Sequence, residues 1–399
     1  MKIEYDNLST NFFYNIKMKI LYSSFVCAIL NICAVHAQNA PADIIKNTLN
    51  KMRSLKTISY EVKNIDKSFF TNDTINSEEK TTMIFNDTGR LQAVNQINSS
   101  KNLRYKTIYL GDTSYMYNFL DSAYTKFKTP VQNYSNRFLE VLSGLKSILE
   151  QKSAKIIQKE DTVIQRADCY NFFIIANDTI ENGVRNYGYI YLAVDKQNLL
   201  PIFYKVIAEG RGVKDGHSIG YVSMYFERNF YNYSVNKTID DSMFYVDRNL
   251  YKLPNKILAN GTGAPPLALR DLSGKQIDSS IFKDKILLME FGSILCPANP
   301  LTTPLLNRLY QKYKSQSVAV FSIYSSETAE QAKKYIVNQH IQFPVYLGSA
   351  KLSKDYHAPG APYFYIIDKT GKIAKGIVGY YDELEKDLTT KIDFLLNKK

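Results

Sequence analysis

From residue 41 to about 150, apolar positions recur first at helical spacing, then in alternation, then at helical spacing again. Ile44, Ile45, Leu49, Met52 and Leu55 return every three or four residues behind Pro41, which predicts a helix with one apolar face. Residues 58–70, 81–85, 90–97, 103–110, 114–120 and 124–128 are rich in Tyr, Val, Ile and Phe and read as strands. Turn formers part them, among them Asn86-Asp87-Thr88-Gly89 and Gly111-Asp112. Over residues 136–151, Phe138, Leu139, Leu142, Leu145, Ile148 and Leu149 line one side of a second helix. Strands resume at 155–158, 168–176, 187–194, 201–208, 219–229 and 243–245. The order predicts an α+β domain in which a long antiparallel sheet is served by two helices.

The pattern changes after residue 253. Pro254, Gly261, Gly263, Pro265 and Pro266 give residues 253–266 the composition of a linker, which sets the domain boundary near residue 256. Beyond a hairpin-like segment at 267–273, strands are expected at 286–291, 318–324, 345–347, 363–367 and 373–378, with helices at 297–314, 327–339, 351–356 and 381–397. This alternation predicts an α/β domain, a mixed sheet flanked by helices. Ahead of both domains, Lys17 and Lys19 precede an apolar run over 20–37 that ends in Val35-His36-Ala37, a variant of the small-residue cleavage pattern. The expected organisation is an export signal at 1–37, starting at Met1 or Met18, a β-rich domain at 38–255 and an α/β domain at 256–399. Because the apolar run is short for a spanning helix and breaks at Asn31, a retained membrane anchor is the lesser expectation.

Composition narrows the function classes. A chain of 399 residues, 45% of them hydrophobic, has material for two ordinary cores. Its net charge of +12 raises the question of an anionic partner, but the lysines are dispersed and no nucleic-acid motif accompanies them. A solvated basic surface and no nucleic-acid partner are expected. Export would remove Cys27 and Cys33 and leave Cys169 and Cys296, too few for a disulfide scaffold. The three histidines that remain show no paired ligand spacing, so neither a metal nor a cofactor is expected.

Candidate chemistry gathers at Cys296. The residues before it read as an apolar strand and a short loop, and Pro297 suits the first position of the helix that follows. A thiol at a helix start faces unpaired N–H groups and the positive end of the dipole, which favours the thiolate. An exposed, reactive thiol is expected, against the alternative of a small buried hydrophobe. Glu290, in the preceding strand, is either a buried proton acceptor near the thiol or the partner of a lysine at a sheet edge. Cys169 alternates with Asn171, Phe173 and Ile175, so it reads as a core cysteine sooner than as a second reactive thiol. His357 reads as a surface histidine sooner than a neighbour of Cys296.

These residues resemble the active-site strand and helix of thioredoxin-like proteins, most closely the secreted TlpA/ResA type of thiol-disulfide oxidoreductase. Cys296 takes the place of the first cysteine of the family's C-x-x-C motif, Pro304 matches the proline within its helix, and Glu290 falls where thioredoxin keeps a buried carboxylate. Gly360-Ala361-Pro362 and the run to Asp368, followed by Lys369-Thr370-Gly371-Lys372-Ile373, resembles the family's second landmark. The resemblance implies a cis Pro362 beside Cys296. The family's second cysteine is Asn299 here, giving C-P-A-N, and Gly292 and Leu295 stand where aromatic residues are usual. Asn299 either donates a hydrogen bond to the thiolate or solvates a helix turn. The first domain resembles the LolA-like fold of lipoprotein carriers in the order of its elements and in the turn at 194–201. That resemblance implies a curved antiparallel sheet with helices on its concave side, and either an apolar hollow for an acyl chain or a closed core.

Three functions follow. The first is an exported thiol-disulfide oxidoreductase of the periplasm or cell envelope, acting through one cysteine on disulfide-containing or thiol proteins. The second is a one-cysteine peroxidase, since Ser293-Ile294-Leu295-Cys296-Pro297 faintly resembles the T-x-x-C-P site of AhpC/TSA peroxiredoxins. The arginine that activates that family's cysteine has no counterpart, because its position holds Pro362 and the domain's arginines are Arg270 and Arg308. The third is a non-catalytic envelope protein whose first domain binds a lipid or lipoprotein.

Overall fold

Alternating Val, Ile, Tyr and Phe build one very wide sheet in the first part of the chain, and two amphipathic helices cover one of its faces. The computed structural model describes residues 40–68, 73–100, 104–119, 123–181, 183–214, 217–252, 257–296 and 298–397. The export segment at 1–37 and Pro297 lie outside them. Helix α1 (Pro41–Arg53) leads into strands β1 (Thr57–Lys67), β2 (Thr74–Phe85), β3 (Leu91–Ser100), β4 (Arg104–Leu110), β5 (Thr113–Asn118) and β6 (Ala123–Lys128). Helix α2 (Arg137–Glu150) follows, capped by Asn136, whose Oδ1 accepts from Leu139 N at 3.0 Å. Strands β7 (Lys155–Ile164), β8 (Ala167–Glu181), β9 (Val184–Asp195), β10 (Pro201–Lys214), β11 (His217–Val235) and β12 (Tyr251–Lys252) complete the sheet.

The strand order is β12-β6-β5-β4-β3-β2-β1-β11-β10-β9-β8-β7, so two meanders are joined where β1 pairs antiparallel with β11. Ile44, Ile45, Leu49 and Met52 of α1 and Phe138, Val141 and Leu145 of α2 share one core with Val62, Phe172, Ile190, Tyr204 and Phe230 of the strands. The segment at 243–245 is a single 3-10 turn, Asp241–Phe244, and not the strand its apolar residues suggest. Asp240 Oδ1 accepts from Ser242 N at 2.9 Å and so caps a turn in place of a ladder.

The covered face is not apolar throughout. Glu79 is buried on β2 and accepts from Tyr60 Oη at 2.9 Å, Thr81 Oγ1 at 2.7 Å and Gln96 Nε2 at 3.0 Å. Burial holds its carboxyl above the ordinary carboxylate range, with Arg137 pulling the other way. Beside it Arg228, 2% exposed, places Nη2 2.7 Å from Asp66 Oδ1 and 3.4 Å from Glu140 Oε1, while Arg137 Nη1 lies 3.1 Å from Glu140 Oε2. This network pins the first turn of α2 to β1 and β11.

The second sheet forms from β13 (Ile286–Gly292), β14 (Val318–Tyr324), β15 (Val345–Leu347), β16 (Tyr363–Ile367) and β17 (Ile373–Val378), in the order β15-β14-β13-β16-β17. β13 is central, parallel to β14 and antiparallel to β16. Helices α3 (Asn299–Tyr313), α4 (Ala329–Asn338) and α6 (Leu384–Asn397) pack with Ile286 and Leu288 on one face. Helix α5 (Ala350–Asp355) packs with Leu287, Met289 and Phe291 on the other. Residues 257–266 are not a free linker. Ile257, Leu258 and Ala264 pack on the α5 face, Gly261 N donates to Ile373 O and Ala264 N to Gly371 O, both at 2.8 Å. Among the described residues no helix is long and apolar enough to cross a membrane.

Truncating Arg228 to Ala removes one of the two guanidiniums that Asp66 and Glu140 share and leaves them to Arg137, at 3.7 Å and 3.1 Å, a loss of about 1.5–3 kcal/mol for the charged hydrogen bonds. The variant is expected to unfold the first sheet at markedly lower urea concentration, and an unchanged midpoint would show that the network does not hold α2.

Candidate active site

Strand β13 is buried along its length because it lies between two neighbours and beneath helices on both faces. One charged residue stands in it. Glu290 is 2% exposed and accepts from Thr302 Oγ1 of α3 at 2.6 Å and from Ser322 Oγ of β14 at 2.5 Å. It therefore sits at the centre of the sheet and not at an edge, and hydroxyls, not a lysine, satisfy it. Burial raises its pKa, and the two hydroxyl bonds work against the rise.

Past Gly292 the chain leaves the sheet. A Cβ on Gly292 would lie 2.8 Å from Tyr324 Cε1 and 3.3 Å from both Asn299 Nδ2 and Glu290 Oε2. The glycine thus lets an aromatic ring, an amide and a carboxylate converge under the loop. Cys296 N donates to Ser293 O at 2.9 Å, and Cys296 O accepts from Asn299 N at 3.0 Å, so the thiol rides on two successive turns. Helix α3 begins at Asn299 and not at 297, with Ala298 as its N-cap and Pro300 in its first turn. Pro304 lies inside it.

Two features of Cys296 differ from expectation. It precedes the helix by a turn, and it is 5% exposed, with its neighbour Leu295 taking the surface position at 47%. The physical reason lies across the sheet. β16 runs antiparallel to β13 with Tyr363 opposite Phe291, which brings the segment before β16 to the end of β13. There Cys296 Sγ donates to Ala361 O at 3.3 Å, and the Ala361–Pro362 bond is cis.

Asn299 is buried, and its Oδ1 has no hydrogen-bond partner. An unmet buried carbonyl costs about 1–3 kcal/mol. Its side chain faces the hydroxyl of Tyr335 on α4, and does not reach solvent as a helix-turn residue would. The Tyr335 phenol is held well above its ordinary pKa by burial, then by Glu290 and Cys296 nearby, with the Asn299 amide acting in the opposite sense. Cys169 is fully buried beside Ala193 and Ile202 in the first sheet and donates to Ala167 O at 3.3 Å. Neither Cys169 nor Cys296 is in a disulfide. His357 occupies the turn after α5, its N–H donating to Lys354 O at 3.0 Å.

The structure thus brings Cys296, Pro362, Glu290 and Asn299 to one end of one sheet. It adds Thr302, Ser322, Tyr324 and Tyr335, which the sequence did not single out. Ser322 could have been found, because it is the lone small polar residue amid the apolar and aromatic run Val318–Tyr324, just as Glu290 is the lone charge in β13, and the two are paired in register. Tyr335 carried no such mark, since a tyrosine on an apolar helix face reads as core.

A thiol on a strand-loop-helix, set against the carbonyl before a cis proline on a mixed five-stranded sheet, defines a thioredoxin-like domain. Residues 261–375 match the model of the AhpC/TSA family. The thiol-disulfide oxidoreductase ResA of Bacillus thuringiensis subsp. konkukian (strain 97-27) is 31% identical over 120 residues, 30% of this chain and 69% of that protein. ResA of Bacillus anthracis is 30% identical over the same length and coverage. Among solved structures, a thiol:disulfide interchange protein of the thioredoxin family from Chlorobium tepidum TLS aligns with 35% of this chain and 99% of its own, at 23% identity and a TM-score of 0.32. The chain belongs to the AhpC/TSA family, and its second domain is thiol-disulfide oxidoreductase-like, similar to ResA.

An acid whose pKa rises on folding favours the folded state below its ordinary value and loses that contribution as pH climbs toward the raised one. Glu290→Gln keeps an acceptor and cannot ionise, so its stability relative to the parent is expected to improve steadily as pH rises from about 4 to about 7. Unfolding curves across that range test this, and parallel curves for the two proteins would contradict it.

Proposed function

We propose that this chain is an exported thiol-disulfide oxidoreductase that works with one active-site cysteine. The observation that carries the reading is the Cys296 thiol against Ala361 O, with Asn299 where a second thiol would have to stand. The Cys296 thiolate attacks one sulfur of a partner disulfide. The S–S bond breaks, a new bond forms between Sγ and that sulfur, and the other sulfur leaves as a thiolate that takes a proton from water. A second thiol from outside then attacks the mixed disulfide and returns Cys296 to its starting state. Cys169, enclosed in the first sheet, has no access to this exchange. In this reading Glu290 exchanges a proton with the site and Asn299 donates to the thiolate from its amide.

The export segment expected at 1–37 supports a place in the periplasm or cell envelope of a bacterium, where disulfide-containing and thiol proteins are the partners. The first domain, in the LolA-like reading, holds a lipid or lipoprotein acyl chain between α1, α2 and the apolar half of the covered face. The peroxidase alternative has less support. Ser293 gives its hydroxyl hydrogen to Glu327 Oε1 at 2.7 Å and not to the thiol, and Arg308 is committed to Glu385.

Incubated with an aromatic disulfide that releases a coloured thiolate, the folded protein is expected to acquire one adduct at Cys296 and Cys296→Ser none. In Asn299→Cys the adduct should clear itself, leaving a disulfide between Cys296 and the introduced thiol that is visible by mass. A parent protein that stays unmodified while folded would remove the proposal.

A further inference from the structure

The loop that carries Cys296 is held from outside the sheet by a residue that neither the thiol chemistry nor the family landmarks involve. Glu327 lies in the link between β14, which ends at Tyr324, and α4, which starts at Ala329. Its Oε1 accepts from Ser293 Oγ at 2.7 Å and from Ile294 N at 3.1 Å, and its Oε2 accepts from Ser326 N at 3.1 Å. Ser293 passes the restraint on. Its Oγ accepts from Leu295 N at 3.3 Å and its carbonyl accepts from the N–H of Cys296 itself at 2.9 Å. A continuous path of hydrogen bonds therefore runs from the Glu327 carboxylate through Ser293 to the backbone of the reacting residue.

The anchor at the other end is firm. β14 is the parallel neighbour of β13. Helix α4 opens with a reciprocal capping box, Thr328 Oγ1 accepting from Gln331 N and Gln331 Oε1 accepting from Thr328 N. Glu327 is the residue just before that cap, so its backbone is fixed by a strand on one side and a capped helix on the other. The same helix carries Tyr335 to the buried side of the site, its ring 6.2 Å from that of Tyr324. The link and helix together grip the Cys296 loop by its outer edge and underlie it by its inner one.

We propose that Glu327 is a positioning residue for Cys296, holding residues 293 and 294 so that the thiol stays at the Ala361 carbonyl and can meet an incoming disulfide in line. The inference rests on the thiol-exchange reading above, and it assigns the geometry of that site to a carboxylate outside the strand and helix that flank the sulfur. One oxygen makes both bonds to the loop, so an amide oxygen can replace it and the charge is not required. A Ser326 bond is lost in that exchange, but it belongs to the link and not to the loop.

The test is the second-order rate of adduct formation with the aromatic disulfide, read beside the thermal midpoint of each variant. Glu327→Ala is expected to react about tenfold more slowly than the parent, since a misplaced reacting group readily costs that much. Glu327→Gln should stay within about twofold of the parent, a rescue that loss of fold stability alone would not produce. Ser293→Ala should fall between them, and the double variant Ser293→Ala/Glu327→Ala should be no slower than Glu327→Ala, because the two act in one path. A Glu327→Ala protein that reacts at the parent rate, a Glu327→Gln protein as slow as the alanine variant, or additive losses in the double variant would each overturn the inference while leaving thiol exchange intact. Should Glu327→Ala not fold, the glutamine and Ser293 variants decide the matter by the same criteria. A parent protein inert to the probe would instead sink the thiol-exchange reading itself.

Discussion

The antiparallel pairing of β13 with β16 is the constraint from which the site follows. Phe291 opposite Tyr363 fixes where the two strands end, and the ends carry Cys296 and Ala361, which are far apart in sequence. A slip of one residue would turn every β13 side chain to the other face and move the carbonyl away from the sulfur. The register is protected by burial on both faces. Ile286 and Leu288 belong to the core under α3, α4 and α6, while Leu287, Met289 and Phe291 belong to the core under α5. Two packed faces leave the strand no second register with comparable burial.

Within that frame the polar residues are placed as deliberately as the apolar ones. Glu290 and Ser322 are neighbours across a parallel pair, and Thr302 descends on them from α3, so an acid in the centre of a sheet is satisfied without any cation. The first sheet treats Glu79 in a similar way, with Tyr60, Thr81 and Gln96 as donors, and then adds Arg228 and Arg137 to balance Asp66 and Glu140 nearby. Burial raises the pKa of both carboxyls, against two hydroxyl bonds at Glu290 and against the pull of Arg137 at Glu79.

Much of this was legible in the sequence, for reasons that can be named. The helices at 41–55 and 136–151 carry strong periodicity because one face of each packs on the sheet. Strands β13, β14 and β16 are apolar runs, broken only by Glu290 and Ser322, because both their faces are covered. The first half of β2 was missed because its alternation sets Glu79 and Ser77 on the covered face, where a polar network and not hydrocarbon lies. Residues 257–266 read as linker because glycine and proline suit an irregular path, yet that path docks against β17 and α5's side of the sheet. The burial of Cys296 was not legible either, since it depends on a carbonyl 65 residues onward.

What separates this chain from a two-cysteine oxidoreductase is small in atoms and large in chemistry. The strand, the turn, the helix with its internal proline and the cis bond are all present around Cys296. The second half of disulfide exchange needs a thiolate in line with the new S–S bond. Asn299 stands at the second-cysteine position of the C-x-x-C pattern, its N–H donating to Cys296 O at 3.0 Å and its amide close against Gly292, and an amide cannot break a disulfide. In the single-cysteine exchange proposed above, release of a mixed disulfide at Cys296 falls to an external thiol. The lifetime of that adduct would then be set by the partner's thiol and not by this chain.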